Sequence, residues 1–224
     1  GQQLLPNADF YQLLNRKADK NVLLNLFNPE TNERWTETVK PITLREENAL
    51  LYKRWVKTRN EQVEKLSNGR IGYVHVSGMN SESYREVYSE LLGRHGNKEA
   101  VIVDTRFNGG AWLHDDLATG KRYADFEPRG QYIGSEPITK WYKPSVIIVG
   151  EGNYSDAHGF PYVYKTLGIG KVIGMPVPGT MTAVWWETLQ DESLVFGIPQ
   201  MGVKDLNGKY LENNQLEPHI KVAI

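Results

Sequence analysis

Three short aliphatic runs, each ending where the chain turns in glycine or small polar residues, constrain the fold more than any other feature of this sequence. They are Ala100-Val101-Ile102-Val103, Val146-Ile147-Ile148-Val149 and the shorter Val172-Ile173-Gly174. A strand with one wet face alternates apolar and polar residues, whereas these runs have no polar face, so their sheet must be covered on both sides. Helical periodicity lies between them, in Tyr84, Val87, Tyr88 and Leu91 behind Ser81-Glu82, and in Phe160, Val163, Tyr164 and Leu167. Strands and helices alternating in this way define an α/β core. A length of 224 residues accommodates one large domain, or one domain and a fragment.

The segment before this core has a different texture. Phe10, Leu13 and Leu14 predict a short helix within residues 7–17, with Asn7 placed to cap it. Asn21 to Phe27 and Arg34 to Val39 read as two strands joined by a hairpin-type connection, and Pro41-Ile42-Thr43 closes the unit. From Arg45 to Leu66 the apolar residues Leu51, Trp55, Val63 and Leu66 among many charges suit an amphipathic helix. Residues 71–76 form a strand, and the chain from Ala183 onward is rich in strand patterns. The reading is therefore 1–43 as one partial module, 44–66 as a linking helix and 67–224 as the main core.

Composition excludes several classes of function. Lys and Arg number 26 against 27 Asp and Glu, a formal charge of -1 that provides no general field for a polyanion, so no nucleic-acid partner is expected. Lys121-Arg122 with Arg129, Lys140 and Lys143 is the one moderately basic stretch. With no cysteine there is no disulfide, no thiolate nucleophile and no cysteine-held metal, and no cofactor is expected. No aliphatic run approaches the ~18 residues needed to cross a bilayer, so no membrane span is expected. The chain starts at Gly1 without Met or a basic-then-apolar leader, and a natural start further upstream is expected.

Two turns are placed for chemistry, because function collects where buried strands end. The first is Asp104-Thr105-Arg106-Phe107-Asn108-Gly109-Gly110. Paired glycines let backbone amides face outward, as an anion cradle needs, although such a pair also makes an ordinary turn. The spacing is not that of a dinucleotide or P-loop fingerprint. The second is Gly150-Glu151-Gly152-Asn153-Tyr154-Ser155-Asp156-Ala157. Ser155 stands at a strand-to-helix turn, as a helix cap or as a hydroxyl beside unpaired first-turn amides. Pro161 cannot donate a backbone hydrogen bond, so this helix is expected to bend or begin late. His114-Asp115-Asp116 could bind a metal, but three adjacent residues rarely converge on one ion, so the run reads as a polar helix start. Trp185-Trp186 read as strand residues pointing to opposite faces, one of them placed to line a peptide subsite, with core packing the commoner fate of such indoles.

Taken in order, Arg106-Phe107-Asn108-Gly109-Gly110, Asn153-Tyr154-Ser155-Asp156-Ala157, Leu167 to Gly174, Leu211-Glu212-Asn213 and Leu216-Glu217-Pro218 resemble the catalytic half of the tail-specific (C-terminal processing) serine peptidases, in particular the tricorn-like branch. The likeness covers roughly residues 67–224, while residues 1–43 resemble the end of a PDZ domain. The resemblance implies a ClpP/crotonase-like α/β core with a partial PDZ-like segment, and hydrolysis of peptide bonds in peptides or unfolded polypeptide ends. Carried over by position, Ser155 is the nucleophile. The amide of Asp156 and one of the Gly109-Gly110 amides form the oxyanion hole, and Glu212 is the acid that completes the relay. It further implies a homo-oligomer and, since relatives are often exported, a periplasmic location.

Departures from the family pattern bear on the proton acceptor. Members with a lysine base carry it at the position held here by Thr180, and a hydroxyl does not accept a proton as an amine does. The tricorn-like branch uses a histidine that precedes the PDZ module. His158 lies one helical turn from Ser155, where side chains run alongside rather than converge. His75, His95 and His114 read as structural or exposed, and His219 stands where the family carries an acid. The expectation is a C-terminal piece that holds nucleophile and oxyanion hole without the base, and that is nearly inactive alone. Two alternatives share the architecture: a non-catalytic peptide-binding module, and a crotonase-type acyl-CoA enzyme.

Overall fold

The computed structural model describes the chain except residues 1–3, 5–6, 115–116, 118–123, 127, 132–133, 137–139 and 224. The chain forms two compact units, Gly1–Thr58 and Arg59–Ile224. In the first, the predicted helix is confined to α1 (Phe10–Leu14), capped by Asp9 rather than Asn7: Asp9 Oδ1 accepts from the Tyr11 amide at 3.1 Å. Arg16 adopts φ 58°, a left-handed conformation that stops the helix there. Strands β1 (Val22–Asn28) and β2 (Glu33–Val39) pair antiparallel from Val22↔Val39 to Asn28↔Glu33. Helix α2 (Leu44–Leu66) begins with a capping box in which Thr43 Oγ1 accepts from the Glu46 amide and Glu46 Oε2 accepts from the Thr43 amide, at 3.2 and 2.7 Å.

The second unit is built on a five-stranded sheet. Its members are β3 (Ile71–His75), β4 (Ala100–Asp104), β7 (Ser145–Val149), β8 (Lys171–Gly174) and β11 (Ile220–Lys221), and every pairing is parallel. The order β11-β8-β7-β4-β3 is sequential, with β5 (Ala124–Phe126) and β6 (Gly134–Glu136) forming a separate antiparallel pair. Helix α3 (Ser81–Ser89), extended by a π-helical turn over Glu90–Arg94, and helix α4 (Asp156–Thr166) connect the strands. The mixed α/β architecture with a parallel sheet is the one the continuous aliphatic runs call for. Val101, Val103, Ile147, Val149 and Val172 join Val74, Val87, Phe160 and Tyr164 in one buried cluster. Each such aliphatic side chain contributes about 1.5–3 kcal/mol on burial. An antiparallel hairpin, β9 (Thr182–Thr188) with β10 (Val195–Gly202), stands apart from this sheet. Among the described residues no helix is long and apolar enough to cross a membrane.

Asp104 pairs with Ile148 across β4 and β7, so the turns that follow these strands leave the same end of the sheet side by side. Arg106 holds the first turn to its strand through a paired contact with the buried Asp104 carboxylate, which also accepts from the Tyr73 hydroxyl at 2.8 Å. The basic stretch around Lys121-Arg122 lies largely outside the described residues.

Candidate active site

Ser155 sits at φ 55° and ψ −121°, a strained backbone conformation for a residue with a side chain, and makes no side-chain capping bond to α4. The cap reading of this serine therefore does not hold. Its hydroxyl has no hydrogen-bond partner among the described residues, and the half-buried side chain opens into a cleft of about 610 Å³. The strain is held by partners on both sides. Thr180 Oγ1 accepts from the Ser155 amide at 2.9 Å. Buried Asn153 donates to Thr105 Oγ1 and to the Ala157 carbonyl and accepts from the Gly150 amide.

The Asn153 bonds also explain Pro161. Helix α4 starts at Asp156 and runs through the proline without a delayed start. The carbonyl that residue 161 would have satisfied is that of Ala157, and the Asn153 side chain donates to it at 3.0 Å.

The double-glycine turn approaches Ser155 as closely as a backbone can. A Cβ on Gly110, at φ +87°, would lie 2.7 Å from Ser155 Cβ, 2.6 Å from the Tyr154 carbonyl oxygen and 3.0 Å from the Asp156 nitrogen. Only glycine fits there. Asn108, fully buried, fastens the two turns to each other and to β3: its backbone carbonyl accepts from the Tyr154 amide at 3.0 Å and its side chain donates to the Val76 carbonyl at 2.8 Å. Its Oδ1 also accepts from the Gly110 amide at 2.9 Å. Gly110's amide is thus committed. The amides of Gly109 and Asp156 have no acceptor among the described residues, and both residues line the cleft with Ser155. A hydroxyl beside two uncommitted amides, one at a helix N-terminus, is the layout that can hold a developing oxyanion.

Glu212 does not touch the serine. Its Oε2 accepts from the Met181 amide and the Thr182 hydroxyl, both at 2.8 Å, and these two residues line the cleft. The loop that carries it is tied down where the Asn213 amide donates to the Gly179 carbonyl at 2.9 Å. Glu212 is therefore one residue removed from Thr180 and two contacts from Ser155.

The histidines divide sharply. His158 is 1% exposed, packs edge-on against Tyr162 and is absent from the cleft lining. Burial pushes its imidazole down to about 4 against the opposing pull of Glu212, so it is neutral near pH 7. His75 and His95 are buried, and burial lowers both. His219 Nδ1 accepts from the Val172 amide at 3.0 Å, holding the end of the chain to the sheet. His114 alone lines the cleft with Ser155, and its Nδ1 meets the carboxylate of Asp156. The sequence signals nothing of this, since the two residues are joined by a contact between distant segments. The core reading of the indoles is overturned in favour of the alternative, which extends to both: Trp185 and Trp186 are 59% and 72% exposed and both line the cleft, β9 pairing with β10 alone among the described residues.

Comparison with known proteins shows the family. Residues 70–222 match Peptidase family S41, and the chain belongs to that family. It is 24% identical to the tricorn protease of Thermoplasma acidophilum over 99% of this chain and 21% of that protein. To the tricorn protease homolog of Saccharolobus solfataricus it is 27% identical, over 97% of this chain and 20% of the relative. The chain thus spans about a fifth of the length of these curated relatives. A crystal structure of the tricorn protease superposes on all of this chain and on 22% of its own, with a TM-score of 0.82 at 22% identity, a likeness of fold.

Proposed function

We propose that the chain carries the nucleophile half of a serine peptidase site that cleaves peptide bonds in peptides or unfolded polypeptide ends. Ser155 attacks the scissile carbonyl, and the amides of Gly109 and Asp156 receive the oxygen as it becomes an anion. Glu212 serves the relay indirectly, by setting the first residues of β9 along the cleft. The proton acceptor is a histidine brought to Ser155 from outside residues 1–224, and residues 1–43 are the end of a PDZ-like module. The observation that carries this reading is the serine itself: a strained backbone, a hydroxyl with no structural task, and a glycine-lined approach that no cap or core serine requires. Family membership and the much greater length of the tricorn relatives support it.

The test is labelling of the full-length protein, with the segment that supplies the base, by a fluorophosphonate, followed by peptide mass mapping. An adduct on Ser155 that disappears in Ser155→Ala is the expected result. Absence of any adduct, or an adduct unaffected by that substitution, overturns the assignment. Loss of one relay member typically lowers turnover by several orders of magnitude, so hydrolysis of a peptide by residues 1–224 alone is expected to be at least about a thousandfold slower than in the presence of the segment that supplies the base.

A further inference from the structure

We propose that Asp156 has a second task beyond its backbone amide: its carboxylate, through His114, is a positioning group that fixes the far wall of the oxyanion pocket. The inference rests on the Ser155 reading above. The carboxylate is 4% exposed. Oδ2 accepts from the Leu113 amide at 2.6 Å and the His114 amide at 3.0 Å, while Oδ1 meets His114 Nδ1. A buried carboxylate has to be satisfied by donors, and among the described residues its donors come from one short segment.

That segment is the direct continuation of the double-glycine turn. Ala111, Trp112 and His114 line the cleft beside Gly109. It is pinned at two places. Met79 holds its beginning, with the Met79 amide donating to the Gly110 carbonyl at 3.2 Å and the Trp112 amide donating to the Met79 carbonyl at 3.0 Å. Asp156 holds its end. The first attachment ties the turn to the β3–α3 connection and the second ties its far end to Asp156, while the Asn108–Tyr154 bond joins the two turns on the near side. The Asp156–His114 contact therefore fixes the far side of the pocket whose near side Asn108 holds. A misplacement of 1 Å in such a constellation can cost about a hundredfold in rate. Imidazole and imidazolium can both present Nδ1–H to the carboxylate, so the attachment does not depend on the charge of the ring.

The experiment measures the second-order rate at which a fluorophosphonate phosphonylates Ser155, with loss of fluoride, in the full-length protein that carries the base, together with backbone hydrogen exchange over residues 109–114. His114→Ala is expected to slow labelling about 10- to 100-fold and to speed exchange at the Leu113 and His114 positions, with the pH profile of the remaining reaction unchanged. His114→Asn, whose Nδ2–H stands where Nδ1–H stood, is expected to recover most of both. Labelling of His114→Ala at the wild-type rate, or unaltered exchange at those two positions, overturns the proposal. So does a loss that His114→Asn fails to recover and that comes with a shifted pH profile, because this marks His114 as a proton acceptor. If His114→Ala does not fold, the asparagine variant and Asp156→Asn decide by the same two readings. If wild-type protein takes up no label, the Ser155 assignment fails, and the exchange measurement alone still judges the contact.

Discussion

The two turns that meet at the cleft solve opposite problems. After β4 the chain removes side chains, so that the backbone at Gly110 can lie against Ser155 Cβ and the Asp156 nitrogen. After β7 it does the reverse and drives one side chain outward, holding Ser155 at φ 55° and ψ −121° with Thr180 and Asn153 on either side. The contrast teaches that a site made of amides needs empty space, whereas a site made of a hydroxyl needs strain and the bonds that sustain it.

The largest expected effect of breaking this pairing is at Gly110. In Gly110→Ala a left-handed backbone acquires a Cβ that meets the Tyr154 carbonyl oxygen at 2.6 Å and Ser155 Cβ at 2.7 Å. About 3 kcal/mol or more of stability is expected to be lost, and Ser155 labelling to slow about a hundredfold, as read by denaturant melts and labelling rates. On the other turn, Asn153→Ala leaves the Gly150 amide, the Thr105 hydroxyl and the Ala157 carbonyl without this partner. A loss of roughly 3 kcal/mol in urea unfolding is expected, larger than that of the same change at an exposed asparagine such as Asn207.

His158, in the helix that follows, gives a smaller and pH-dependent effect. Its folded value of about 4 lies below the 6.5 of an ordinary imidazole, so acid protonates the unfolded chain first. The stability it preserves above pH 6.5 is lost as pH falls toward 4. Between pH 7 and 5 this amounts to roughly 2 kcal/mol, and a urea series on wild type and His158→Phe is expected to show that slope reduced in the variant. The smallest effect is at the neighbouring glycine. Nothing lies within 4 Å of a Cβ on Gly109 and its backbone is not left-handed, so Gly109→Ala is expected to label within about twofold of wild type, since its amide is kept and no contact is crowded. Equal damage from the two alanine substitutions would refute the division of labour between the glycines.

Much of this was legible in the sequence. The runs at 100–103, 146–149 and 172–174 became adjacent parallel strands, and the glycine pair and Ser155 were recognisable as the turns that end two of them. Pro161 does not delay the start of α4, because the compensating donor is the side chain of Asn153, whose reach back into α4 leaves no mark on the local pattern. His114 reads only as structural or exposed for the same reason: its partner Asp156 is distant along the chain. Trp185 and Trp186 read as core residues because period-two alternation reveals which faces a strand has, without revealing that both are open to solvent.

The sequence by itself determined the sheet, the position of its turns and the order of motifs shared with the S41 peptidases, since these follow from short-range periodicity and from residue types at set places along the chain. Only the tertiary structure decided that Gly110's amide is spent on Asn108 while Gly109's is not, that Ser155 is no cap, and that one carboxylate gathers three donors from across the cleft. Those outcomes are settled by competition for hydrogen-bond partners between segments far apart in the chain, and that competition exists only once the segments have been packed together.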